Sequence, residues 1–163
     1  MTNSLKFSFS KINARLGVLI FALILPHLSW SQNTSTVNQP VFNHAALCAH
    51  DLKKTAAFYS TVLQLKQIPN PFKDTVHAWF KIGDGLALHV IKGDCPNNIH
   101  DISIHICFSV PSLETFMKHL DQLNVKYGDW NGVPKKVQLR ADGVRQIYFQ
   151  DPDGFWIEVN DAK

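Results

Sequence analysis

The sequence predicts an α+β protein made of two copies of a β-α-β-β-β unit. Three observations carry this. Apolar runs of strand length alternate with two helical stretches, and a glycine-bearing turn sits at the matching place in each half. The halves can also be laid on one another: Ala78–Val90 falls without gaps on Ile147–Val159, so that Phe80 meets Phe149, Gly85 meets Gly154 and Val90 meets Val159. With a different offset His44 falls on His105, and each is followed eight residues later by a helix-opening leucine, Leu52 and Leu113.

The chain has 163 residues, with 16 Lys+Arg against 13 Asp+Glu and a net charge of +3. That length and 45% hydrophobic content suit one folded domain and exclude a disordered chain. Residues 1–31 contain Lys6, Lys11 and Arg15, no acid, the apolar run Leu16–Leu28, and then Ser29-Trp30-Ser31-Gln32. This is the layout of a secretory signal peptide cut near Ser31. The run is broken by Pro26 and falls short of the roughly twenty residues that span a bilayer. The mature protein is therefore expected to be exported, periplasmic or secreted, with no membrane attachment. What remains is balanced, 13 basic against 13 acidic residues, and nucleic-acid binding loses its support.

Residues 32–40 read as a polar linker, and a single domain of residues 41–163 follows, its modules at about 41–92 and 101–160. Phe42–Ala49 suits a strand. Asp51 then caps a helix to about Leu65, with Leu52, Ala56, Tyr59, Val62 and Leu63 on its apolar face. A short strand follows at Lys66–Ile68. Val76–Ile82 and Leu86–Ile91 flank the hairpin signal Gly83-Asp84-Gly85. After a loop at Asp94–Asn98 the order recurs: a strand at Ile102–Val110, a helix from Leu113 to about Leu123 capped by Ser112, and a short strand at Val125–Tyr127. Arg145–Gln150 and Phe155–Asn160 close the unit around the turn Asp151-Pro152-Asp153-Gly154. Three cysteines cannot all pair within one chain, and no C-x-x-C is present. Cys48 and Cys107, in apolar runs, read as small buried hydrophobes, and Cys95, beside Pro96 in a polar loop, as an exposed thiol.

The repeat also places chemistry. His44 and His105 stand on the first strand of each unit, His89 and Glu158 on the last. Side chains alternate faces along a strand, so one inward residue from each of four strands can meet at one point. Three imidazoles and a carboxylate suit a divalent metal: zinc, nickel, iron or manganese. Taken singly, each histidine is as well explained as a hydrogen-bonded core residue, and Glu158 as a rim residue; the repeat-equivalent placement is what favours a metal. His50, His77, His100 and His119 lack that support and read as surface residues or as supports behind the ligands.

Asn43-His44-Ala45-Ala46-Leu47 leading to Asp51-Leu52, then Leu88-His89-Val90, Ile104-His105-Ile106 and above all Asp151-Pro152-Asp153-Gly154-Phe155-Trp156-Ile157-Glu158 resemble the vicinal oxygen chelate superfamily. That group holds glyoxalase I, fosfomycin-resistance thiol transferases, extradiol dioxygenases and bleomycin-binding proteins. The resemblance covers about residues 41–160. It implies paired βαβββ modules forming a cupped eight-stranded mixed sheet, with helices outside, around a metal and often in a homodimer. It implies His44, His105 and Glu158 as ligands, with His89 standing where glyoxalase I carries a glutamate that serves as ligand and base. It implies Lewis-acid chemistry on two adjacent substrate oxygens, a proton moved by a protein base, and a pocket lined by Tyr148, ten residues before the carboxylate.

By alternation Trp156 shares the face of Glu158 and could wall the pocket, whereas Trp79 reads as core. Lys135, Lys136, Arg140 and Arg145 cluster with only Asp142 among them; Arg140 and Arg145 are the candidates for holding an anionic substrate. The expected function is a metal-dependent lyase or isomerase of glyoxalase type acting on a small anionic molecule, with Glu158, His89 and Tyr148 as its catalytic groups. An extradiol-type dioxygenase and a non-catalytic sequestering protein are the rivals.

Overall fold

Apolar residues at every second position decide which face of each strand turns inward, and the same alternation runs through both halves. The computed structural model describes residues 39–95 and 100–163; the expected signal peptide and most of the expected linker lie outside the described residues. The first unit contains β1 (His44–Ala49), α1 (Leu52–Thr61), β2 (Lys66–Ile68), β3 (His77–Gly83) and β4 (Leu86–Lys92). The second contains β5 (His105–Ser109), α2 (Leu113–Gln122), β6 (Gln138–Leu139), β7 (Arg145–Gln150) and β8 (Trp156–Asn160). The eight strands divide into two sheets of four, ordered β1-β4-β3-β2 and β5-β8-β7-β6. In each sheet the first strand runs parallel to the last, and the other pairings are antiparallel.

Both helices start as the sequence indicates: Asp51 accepts the amide of Lys54, and Ser112 that of Thr115. They stop on matching residues, Gln64 and Asn124, which adopt left-handed φ of 54° and 55°. For this reason α1 ends at Thr61, short of Leu65. The expected strand at Val125–Tyr127 is absent. Gly128 alone bridges Tyr148, through backbone bonds of 3.0 and 2.9 Å, and Asp129 then accepts the amides of Asn131 and Val133 and turns the chain back. A Cβ at Gly128 would lie 2.5 Å from the carbonyl oxygen of Val133, so this close approach requires glycine. The sheet edge passes instead to β6, opposite Arg145 and Gln146.

Ala78 and Phe80 of β3, Leu88 and Val90 of β4, Ile147 and Phe149 of β7, and Ile157 and Val159 of β8 form the core with Tyr59 and Val62 beyond α1's N-terminal half and Leu113 and Leu120 of α2. The residues between them on each strand face the other way, and that second face is polar. Cys107 lies on it, between His105 and Ser109, while its neighbours Ile106 and Phe108 pack against the core. It is therefore a free, exposed thiol and not a buried hydrophobe. Cys95, expected as the exposed thiol, is bonded to Cys48, with Cα atoms 5.7 Å apart. The parallel pairing of β1 with β4 sets Cys48 opposite Ile91, so the chain leaving β4 passes within reach of it.

The two units are joined through the turn between β7 and β8. Asp151 accepts its own turn amides, Asp153 and Phe155, on Oδ1 and the hydroxyl of buried Tyr59 on Oδ2 at 2.9 Å. Asp153 accepts Thr55 Oγ1 at 2.5 Å and both the amide and the ring of His50. His50, read from the sequence as a surface residue or a support behind the ligands, is exposed and also cross-links the units. Burial pushes the Asp151 carboxyl up; at Asp153 burial acts the same way but is outweighed by the bonds from Thr55 and His50, which hold it below the usual range.

Two measurements test this scaffold. Tyr59→Phe leaves a buried carboxylate oxygen without its partner and is expected to cost about 1–3 kcal/mol, read as a lower denaturant midpoint. Serine at both Cys48 and Cys95 removes a bridge with a sequence separation of 47 and should cost ~2–4 kcal/mol, and wild type treated with reductant should fall to the same midpoint.

Candidate metal centre

On the polar face of the second sheet, alternation brings together His105, Cys107 and Ser109 of β5, Glu158 and Asn160 of β8, and Gln146 and Tyr148 of β7. Glu158 is 5% exposed, and both of its oxygens are engaged. Oε1 accepts Asn160 Nδ2 at 2.9 Å and the Cys107 thiol at 3.2 Å. Oε2 accepts the Tyr148 hydroxyl at 2.7 Å, and that hydroxyl accepts Gln146 Nε2 at 2.6 Å. Burial favours the protonated carboxyl, but the bonds from Tyr148, Asn160 and Cys107 outweigh it and hold Glu158 below the ordinary glutamate range, so it is a carboxylate at neutral pH. Partial enclosure of its sulfur, then the bond to Glu158, pushes the Cys107 thiol up to about 12, and Cys107 stays a protonated donor although the residue as a whole is exposed. Burial and the same carboxylate also raise Tyr148.

His105 Nδ1 lies 2.8 Å from the carbonyl oxygen of Ile102, which can only accept. A neutral ring therefore carries its proton on Nδ1, and the lone pair of Nε2 faces Glu158 Oε2 at 3.3 Å. A protonated ring pairs with the carboxylate directly, and a neutral one leaves both atoms as donors toward a shared cation.

On the first sheet, His44, His77, Trp79 and His89 share a face. Trp79 stacks on His89 with ring centroids 3.9 Å apart; His77 lies 4.9 Å and His44 6.1 Å from His89. Trp79 is thus part of the imidazole face and not of the core, because β3 turns Ala78 and Phe80 inward. His89 is 6% exposed, and its Nε2 has no hydrogen-bond partner among the described residues. Burial, then the neighbouring His77 and His44, depresses its pKa, so it is a neutral imidazole with a buried nitrogen unpaired. His77 is held by Asp74 at 2.6 Å.

The four expected ligands do not meet within one chain. Among the described residues no three His, Cys, Asp or Glu side chains are placed to hold a metal ion. They form two half-sets, His44 with His89 and His105 with Glu158, each carried by a parallel strand pair of a single sheet. Ladder bonding fixes each half-set, and the strand ladders do not run from one sheet to the other.

The two arginines separate by alternation. Arg140 binds Asp142 through Nε and Nη2 and brings Nη1 to 4.0 Å from Glu158 Oε1. Arg145 points to the helix side of β7 with Ile147 and Phe149, and its guanidinium is committed to Glu114 of α2 and to Asp161. The anion-binding expectation for Arg145 is corrected accordingly. Lys135 and Lys136 pair with Asp121 and Asp129. Trp156 shares the Glu158 face, with its indole donating to the carbonyl of His100. A cavity of about 970 Å³ is lined by Phe58, Asp121, Tyr127, Tyr148, Phe149 and Trp156 among others, and none of His44, His89, His105 and Glu158 lines it. Cys107, Asn160 and Gln146 were missed from the sequence, yet each lies two residues from a recognised site residue, on the same face of its strand.

A profile of the Glyoxalase/Bleomycin resistance protein/Dioxygenase superfamily matches residues 41–159. The metallothiol transferase FosB of Lysinibacillus sphaericus is 34% identical over 126 residues, covering 72% of this chain and 79% of that protein. Glyoxylase I 4 of Arabidopsis thaliana is 26% identical over 123 residues, covering 72% and 68%. The fold matches that of the fosfomycin-resistance protein FosX of Listeria monocytogenes, solved with Mn(II) and 1S,2S-dihydroxypropylphosphonic acid, at a TM-score of 0.62 and 24% identity over 77% of this chain and 95% of that one. Duplicated sheets, the Asp151–Glu158 segment and these matches together make the chain a member of the glyoxalase, or vicinal oxygen chelate, superfamily.

Proposed function

We propose that the protein is a metal-dependent lyase or isomerase of glyoxalase type, acting on a small anionic molecule with adjacent oxygens, and that two copies of the chain complete its site. The observation that carries this reading is His105 Nε2 standing 3.3 Å from the Glu158 carboxylate. The neutral, unpaired His89 and the mixed nitrogen and carboxylate donor set support it. His44, His105 and Glu158 would hold zinc, nickel, iron or manganese, which when bound would polarise two adjacent substrate oxygens. Tyr148, Asn160 and Cys107 keep the carboxylate ionised and fixed, Arg140 draws in negative charge, and His89 Nε2 takes up the substrate proton.

A homodimer explains why the ligands sit in half-sets. β1 and β5 are edge strands, and the residues just before them, Val41, Phe42 and Ile104, are strongly exposed. A second copy that faces its first sheet toward this chain's second would unite His44 of one with His105 and Glu158 of the other. Two histidines and one carboxylate also form the donor set of non-haem iron oxygenases, which favours extradiol dioxygenation as the second reading. The Cys48–Cys95 bridge supports export to an oxidising compartment, with a mature N-terminus near Gln32.

Metal analysis of the purified protein is expected to give a stoichiometric divalent ion that His105→Ala and Glu158→Gln lose; zinc or nickel points to isomerase chemistry and iron to dioxygenation. A wild type with no metal sinks the enzyme reading in favour of sequestration. Refolding His44→Ala and Glu158→Gln chains together should restore about a quarter of the wild-type metal, because half of the dimers are mixed and each of those keeps one intact site. No restoration means that the site lies within one chain.

A further inference from the structure

Trp79 Nε1 is buried and has no hydrogen-bond partner among the described residues. His89 Nε2, also unpaired, has a role in the proposed centre; the indole has none. An indole N–H can only donate, and a buried donor without an acceptor calls for an explanation. β3 and β4 set Trp79 opposite His89, and the rings stack with planes 17° apart. The ring of His44 lies 5.4 Å from the indole. The unused donor therefore belongs to the face that carries two of the residues assigned to the centre.

Phe72 covers this pair. Its ring centroid lies 6.3 Å from Trp79 and 6.0 Å from His89, yet its own side is 59% exposed. It stands between β2 and β3 on a segment tied mainly to itself: Asn70 Nδ2 donates to Asp74, the Phe72 amide to Asn70 Oδ1, and the Val76 amide to Asp74 Oδ1. These bonds are solvent-exposed, and the segment's link to the imidazole face is Asp74 on His77 together with the Phe72 ring itself. Such a segment can open locally without disturbing the sheet.

We propose that the Trp79 indole N–H is a specificity-determining donor that receives one oxygen of an oxyanionic substrate, and that Phe72 is the cover that moves aside to admit it. This rests on the metal-centre reading and names the ligand chemistry of that centre: a carboxylate or phosphonate carrying at least two oxygens, one of which accepts the indole N–H. The ring of Trp79 keeps His89 in place by stacking; its nitrogen discriminates between ligands.

The test uses full-length, ¹⁵N-labelled protein loaded with Zn(II), and oxalate as the probe. The Trp79 indole resonance, identified by its loss in Trp79→Phe, is expected to move downfield as oxalate is added. Trp79→Phe, which keeps an aromatic ring, should weaken oxalate roughly five- to tenfold while Zn(II) affinity stays within about twofold. In the ligand-free protein, Phe72→Ala should speed exchange of that indole proton with water by about tenfold or more. Unchanged oxalate affinity in Trp79→Phe, a stationary resonance, no oxalate binding, or unchanged exchange in Phe72→Ala each overturns the proposal. If wild type takes up no Zn(II), the metal-centre reading fails by itself, and the same titration of metal-free protein decides the role of Trp79.

Discussion

Tyr59, Thr55 and His50 of the first unit all reach into one four-residue turn of the second, where Asp151 and Asp153 receive them. Neither carboxylate could be buried here without those donors, since an unpaired buried charge is strongly disfavoured. The same turn reverses the chain from β7 into β8, and so sets Tyr148 opposite Glu158. One set of polar contacts therefore does two things at once. It fixes how the units meet, and it fixes the register of the strand pair that carries the carboxylate of the centre.

Alternation along the strands then sorts everything else. Ile147, Phe149, Ile157 and Val159 take the core side, which leaves Gln146, Tyr148, Glu158 and Asn160 on the opposite face. In the first sheet the same parity gives Ala78, Phe80, Leu88 and Val90 to the core and His77, Trp79 and His89 to the other side. A shift of one residue in either sheet would bury the polar set and expose the apolar one. The chemistry of this protein is in that sense the reverse side of its core.

Much of this was legible in the sequence because duplication repeats it: the caps at Asp51 and Ser112, the strands around Gly83-Asp84-Gly85 and Asp151-Pro152-Asp153-Gly154, and the equivalence of His44 with His105 and of His89 with Glu158. What was not legible depends on distances between elements. The pairing of Cys48 with Cys95 needs the parallel alignment of β1 with β4, which no local pattern reveals. The role of His50 needs the docking of the units. Arg145 looked available because its strand was recognised but its side was not, and parity with Ile147 would have assigned it to the helix. The absent strand at Val125–Tyr127 marks a departure from the repeat, where Gly128 and Asp129 turn the chain early.

The Cys48–Cys95 bridge encloses α1, β2, β3 and all of β4 in one covalent ring. The exposed segment that carries Phe72 lies inside that ring. A protease that nicks this segment would cut the backbone without releasing either piece, since β1 and the end of β4 stay tethered on both sides of the break. The segment proposed to move is thus also the part of the molecule that can be cut without coming apart.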